Sequence, residues 1–232
     1  MLRDAWLMAS KDLRIERATR VGVGQILPFG GLVLILFGLA ITPDIQVTAA
    51  GGVERPMLAQ AAPGLFWITV MLASLLALGR SFAVESADGN LDGLKMAGLD
   101  PAGIFLGKSA AVAAQLLALE VVLGLGAFVL YGPPLANLLL LITVVILATL
   151  GITAAGTVYA AVASGLRVRD TLVPLLVLPV VAPVLLAATK ATEAAVHGSG
   201  DDGWSWAMLL GVFALLYAGV GMLAFGPIME ES

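Results

Sequence analysis

The chain contains no cysteine and a single histidine, His197. The first absence excludes disulfides, iron–sulfur clusters, thiolate zinc sites and a cysteine nucleophile. The second excludes a multi-histidine metal site. Charge is also scarce. Asp, Glu, Lys and Arg make up 12% of the 232 residues, against about 25% in a soluble domain. The net charge is -4 with only 12 Lys and Arg. That is a poor basis for binding nucleic acid, whose affinity is largely a matter of cations on phosphates. No nucleophile can be matched with a general base, so no catalytic constellation is visible and the chain is expected not to be an enzyme by itself.

What replaces charge is apolar surface. Hydrophobic residues are 60% of the chain, more than a core of this size can bury, so much of that surface must face lipid. About 20 apolar residues cross the hydrocarbon, and six segments qualify: Val21–Ile41, Ala61–Gly79, Ala110–Tyr131, Leu135–Ala163, Leu172–Ala188 and Trp204–Ile228. The first follows about twenty residues of mixed charge and reads as a span, not a cleaved leader. The fifth carries Pro174, Pro179 and Pro183 and is expected to be kinked. No internal repeat of the secondary-transporter kind is visible. The predicted fold class is an all-α integral membrane protein with six spans.

Orientation follows from Lys and Arg. Of the 12, only Arg55 and Lys190 fall on one face. The other face, with both termini, is predicted to be cytoplasmic. Trp67, Tyr131, Trp204 and Trp206 fall near the opposite ends of their spans, where an interfacial aromatic belt is expected.

Five places could carry functional signals. Before the first span, Leu2, Trp6, Ala9 and Leu13 share one side of a helical pattern whose remainder is largely charged. This predicts an amphipathic interfacial helix over residues 1–20. The loop 85–101 opens on Asp88, Gly89 and Asn90, places Leu91 and Leu94 on one face of a short helix, and ends with Gly98 and Pro101. A small apolar knob of this kind suits docking in a partner's groove; an ordinary capped loop helix would look the same. Ala102–Ser109 loosely fits a nucleotide-binding loop. No strand precedes it and apolar residues fill it, so Gly103 and Gly107, continued by Ala110, Ala114 and Ala118, read instead as a small-residue packing stripe. Glu120 is the one acidic residue deep in a span, which makes it a functional suspect or a structural partner for Gln115 or a threonine on another helix. His197 is placed in an outer loop, where a lone imidazole is usually solvated.

The second span and its loop run Pro63-Gly64-Leu65-Phe66-Trp67, Ser74-Leu75-Leu76-Ala77-Leu78, Arg80 and Phe82, then Asp88-Gly89, Leu91, Leu94, Pro101 and Lys108. Gly151, Gly156, Gly165, Arg167, Leu176-Val177-Leu178-Pro179 and Pro183 form a second block. In these residues, length and span count, the chain resembles the CcmB family. These are permease subunits of the bacterial ABC system for cytochrome c maturation. Ala83, Val84 and Gly93 stand where that family is commonly more polar.

The resemblance implies one ABC-2-like permease domain over 1–232 that hydrolyses nothing and pairs with a separate CcmA-like cytoplasmic ATPase. Asp88, Leu91 and Leu94 would then form the docking loop. CcmC-like and CcmD-like subunits, a CcmE-like haem chaperone and a homodimer are the implied partners, with the bacterial inner membrane as location. Haem is the group handled, by export or by release of the loaded chaperone. The rival readings are a permease of another ABC-2-like exporter, a secondary transporter using Glu120, and a scaffold without transport.

Overall fold

In a computed structural model, the chain is described for all residues except 21, 42–45, 49–53, 87–97, 165–168, 199 and 232. Helix α1 spans Leu2–Thr19 and ends on Arg20 in the left-handed region, φ 52°. A π-helical turn, Gly22–Ile26, leads into α2, Leu27–Ala40. A three-residue antiparallel ribbon follows, β1 Gln46–Thr48 with β2 Glu54–Pro56. Five long helices complete the described fold: α3 Met57–Ser86, α4 Pro101–Tyr131, α5 Leu138–Ser164, α6 Arg169–His197 and α7 Gly200–Glu231.

The spans predicted from apolar runs are found, with different ends. Five helices, α3 to α7, are long and apolar enough to cross a bilayer. The first predicted span is the exception. Its α-helical part is 14 residues, about 21 Å, too short to cross alone. A sixth crossing exists only if α2 is counted together with α1, from which it bends by 55°. The three prolines of α6 lie inside an unbroken 29-residue helix. It continues past the predicted end at Ala188 because Lys190 and Glu193, which break the apolar run, pair with each other at 3.0 Å on its surface. His197 is therefore the last residue of a helix, not part of a flexible loop.

Local chemistry sets the boundaries. Asp100 caps α4, its Oδ1 accepting the Ala102 N–H at 3.2 Å, and Pro101 takes the first helical position, where its missing donor costs nothing. Gly132 closes α4 in the left-handed conformation, φ 58°. Asn137 opens α5 by accepting the Leu140 N–H at 3.0 Å. The backbone N–H groups of Ala136 and Asn137 donate to the Ala195 carbonyl and tie this connection to the end of α6.

The core runs through α3 to α7, with α5 packed on α6 and α7. Much of it is alanine: Ala160, Ala161, Ala163, Ala187, Ala188, Ala191, Ala194 and Ala195 are all buried. Small residues let helices approach closely where lipid supplies no hydrophobic drive for association. A second cluster joins α2, α3 and α4.

Two expected interface aromatics are buried instead. Trp67 is fully buried and its indole N–H donates to Thr192 Oγ1 at 2.8 Å, linking α3 to α6. The Tyr131 hydroxyl donates to the Leu34 carbonyl at 2.7 Å, linking α4 to α2. Trp204 remains exposed. Position near a span end says where along the axis a ring lies, but not which way it faces.

Candidate functional site

Two places bring polar groups together, one at the first turns of α4 and one about two-thirds of the way along it. The first lies where the C-terminal part of α3 and the first turns of α4 meet α1. At Gly103, an added Cβ would come within 2.8 Å of the Met1 carbonyl and 2.9 Å of the Asp4 Cβ; at Gly107, within 2.6 Å of the Met8 Cβ. Only glycine permits this approach of two helices. The loosely nucleotide-loop-like segment is thus the continuous opening of α4, laid against α1. The predicted stripe divides, however. Ala110, Ala114 and Ala118 are exposed, because the buried row continues from Gly107 to Ala111 and the three alanines fall on another side.

Lys108 lies at this junction and is 1% exposed. Its Nζ donates to Asp12 Oδ2 of α1 at 3.3 Å and to the Ser81 carbonyl of α3 at 3.1 Å. One ammonium therefore joins three helices. Its burial withdraws it from water, and Asp12 supplies the opposite charge that makes this tolerable. Nearby, Arg80 donates to Gln25 Oε1 at 3.2 Å, attaching the π-helical turn to α3.

The α1 face turned towards the protein contains Asp4, Ala5, Met8 and Asp12. The predicted apolar side is turned away only in its first half: Leu2 and Trp6 are 78% and 75% exposed, whereas Ala9 and Leu13 are half-buried. This leaves that first half available to the bilayer interface, as an interfacial helix requires.

Asp88, Leu91 and Leu94 lie outside the described residues. The structure describes the ends of their loop: α3 runs to Ser86, Gly98 takes φ 64°, and α4 starts at Pro101. The loop thus connects two of the three helices that Lys108 holds together.

The second place surrounds Glu120, about 16 Å before the end of α4 and 2% exposed. The Thr149 hydroxyl of α5 lies 2.9 and 2.7 Å from the two Glu120 carboxyl oxygens. A threonine on another helix was one of the partners expected for this residue. The same hydroxyl lies 2.7 Å from the Val145 carbonyl. Thr149 and Thr153 begin a buried row that continues to Thr157 on α5.

Glu120 is one of the residues lining a groove of about 580 Å³ between α4 and α5, flanked by α3 and α6. Ala62, Gly124 and Ala127 contribute little side-chain volume to its walls, which leaves the hollow open. Phe66, Val121, Phe128 and Ile142 supply apolar surface. Val121, Phe128 and Ile142 are also exposed, so the groove opens sideways. Glu120 and Thr192 are the polar residues lining it. The carboxyl was legible in the sequence; its groove was not, since it is built from four helices distant in the chain.

Among the described residues, no group of three or more His, Asp or Glu could hold a metal ion. Five apolar spans, a short bent segment preceded by an amphipathic helix, and a charged junction joining that helix to two spans define an all-α, multi-pass membrane protein of the permease type.

The family is narrower than that class. The sequence profile described as "CcmB protein" matches residues 3–231, and the chain belongs to this family. The protein named heme exporter protein B of Paracoccus denitrificans is 34% identical over 198 residues, 82% of each chain. Its namesake in Rhodobacter capsulatus is 32% identical over 212 residues, 91% of this chain and 92% of that one. That of Escherichia coli K12 is 30% identical over 228 residues, 94% and 93% of the two chains.

Proposed function

We propose that this chain is the membrane permease subunit of an ABC-type complex for c-type cytochrome biogenesis. It couples ATP hydrolysis by a CcmA-like partner to haem export or to release of a haem-loaded, CcmE-like chaperone. Membership of the CcmB family and relatives named heme exporter protein B support this reading. Haem is the group transported or handled, as substrate and not as a resident cofactor. The chain works with CcmC-like and CcmD-like subunits, as a homodimer, in the bacterial inner membrane with both termini cytoplasmic.

One observation carries the mechanical part. The helices on both sides of the docking loop, α3 and α4, are joined to α1 by Lys108. A partner that binds the loop through Asp88, Leu91 and Leu94 pulls on α3 and α4 together. The bonds at Lys108 pass that displacement to α1 at the membrane surface. Coupling requires only that the ATPase bind the two arrangements with different affinity.

Deletion of the gene, with haem staining of membrane proteins after denaturing electrophoresis, tests the reading. Covalent haem is expected to disappear from all c-type cytochromes and to return with the wild-type gene. Leu91→Asp or Leu94→Asp is expected to insert normally and fail to restore it. Unchanged staining in the deletion would sink the cytochrome role and favour a permease of another ABC-2-like exporter.

A further inference from the structure

We propose that the groove beside Glu120 is a binding site for lipophilic cations, entered sideways from the membrane in the half of the bilayer remote from α1. Its size is the first argument. At about 580 Å³ it lies within the range of about 300–1,000 Å³ typical of small-molecule pockets. Its walls are the second. Apart from Glu120 and Thr192 the lining is apolar, so the body of a ligand must be apolar too. The exposed Val121, Phe128 and Ile142 mark where such a body passes between groove and lipid.

Sign is the third argument. No Lys, Arg or His lines the groove. An ionised carboxylate there finds no compensating charge in its walls, and an uncompensated buried charge costs several kcal/mol. A ligand cation removes that cost. A ligand anion adds to it.

Thr149 makes both states of the carboxyl possible. Its hydroxyl has one proton and three acceptors within reach, Glu120 Oε1 at 2.9 Å and Glu120 Oε2 and the Val145 carbonyl, both at 2.7 Å. With Glu120 ionised, the hydroxyl donates to the carboxylate. With Glu120 protonated, the hydroxyl turns its proton to Val145 and accepts from Glu120. Either way Glu120 keeps one hydrogen bond to this hydroxyl. Proton and cation therefore compete for one carboxyl, which keeps a hydrogen bond to Thr149 in either state.

Dicyclohexylcarbodiimide and tetraphenylphosphonium test this on the assembled complex in membrane vesicles. The carbodiimide is apolar and reacts with a protonated carboxyl. The carboxyl oxygen adds to the central carbon, the proton goes to a nitrogen, and nothing leaves. Mass spectrometry is expected to place the adduct on Glu120 and to find none at that position in Glu120→Gln. Tetraphenylphosphonium is expected to slow labelling by a factor of 1 + [L]/Kd, about elevenfold at ten times its Kd. Tetraphenylborate, of the same shape and opposite charge, is expected to give no protection. Gly124→Leu keeps Glu120 and fills the hollow, and is expected to abolish protection by the phosphonium. No adduct on Glu120, equal protection by the two ions, protection by neither, or full protection in Gly124→Leu would each overturn the proposal. Haem staining of the deletion strain is unaffected by any of these results, so the two readings fail separately.

Discussion

Replacing Lys108 by methionine isolates the three-helix junction. Methionine keeps most of the length and apolar stem of lysine and removes the ammonium. It leaves Asp12, 12% exposed, facing a buried position that is 1% exposed. Removing one partner of a buried pair costs about 3–5 kcal/mol, mostly because the other charge is left uncompensated. Asp12 keeps its ion pair with Lys11 at 3.1 Å, and its small exposure lets water relieve part of the charge, which places the expected loss at the lower end, near 3 kcal/mol. Since 1.4 kcal/mol is a factor of ten, the population with α1 undocked rises about a hundredfold.

Trypsin reads that population. Arg14 and Arg17 lie exposed on α1 but resist cleavage while the helix is docked and formed. When opening and closing are fast, the cleavage rate follows the open fraction. Cleavage in inverted vesicles is therefore expected to accelerate about a hundredfold in Lys108→Met. In the double variant Asp12→Leu with Lys108→Met, no buried charge is left behind, since the remaining partner Lys11 is 40% exposed, and replacing a buried pair by apolar residues is often neutral. Its rate is expected to fall back towards wild type, a coupling energy of about 2 kcal/mol. Wild-type cleavage in the single variant, or equal acceleration in both, would refute the reasoning.

Other perturbations read other contacts. Gly107→Val forces a side chain into the Met8 contact, and overpacking of about 1–3 kcal/mol is expected to expose α1 to the same protease. Thr149→Val removes the hydroxyl from the buried Glu120 carboxyl, at about 1–3 kcal/mol. Glu120→Gln, which can still hydrogen-bond Thr149, is expected to lose less in detergent unfolding. Tyr131→Phe removes the bond to the Leu34 carbonyl and is expected to cost about 1 kcal/mol, seen as faster hydrogen exchange in α2 than in α4.

The sequence by itself determined the class of protein, five of the spans, and the suspicion attached to Glu120. These depend on composition and on runs of neighbouring residues, and the bilayer enforces them through a fixed hydrocarbon thickness. The glycine pair at Gly103 and Gly107 was legible for the same reason, as a spacing on one helix. Tertiary structure decided what each feature faces. Trp67 and Tyr131 turned inward because Thr192 and the Leu34 carbonyl offered buried acceptors from other helices. α6 ran on past Ala188 because Lys190 and Glu193 pair on its surface, which a hydropathy pattern registers only as an end. Lys108, which contributes only one positive charge to a topology count, became the junction of three helices through partners 96 and 27 residues away. Glu120 acquired its groove in the same way. A helix fixes the direction of its own side chains, but the partner opposite each one comes from packing between segments far apart in the chain.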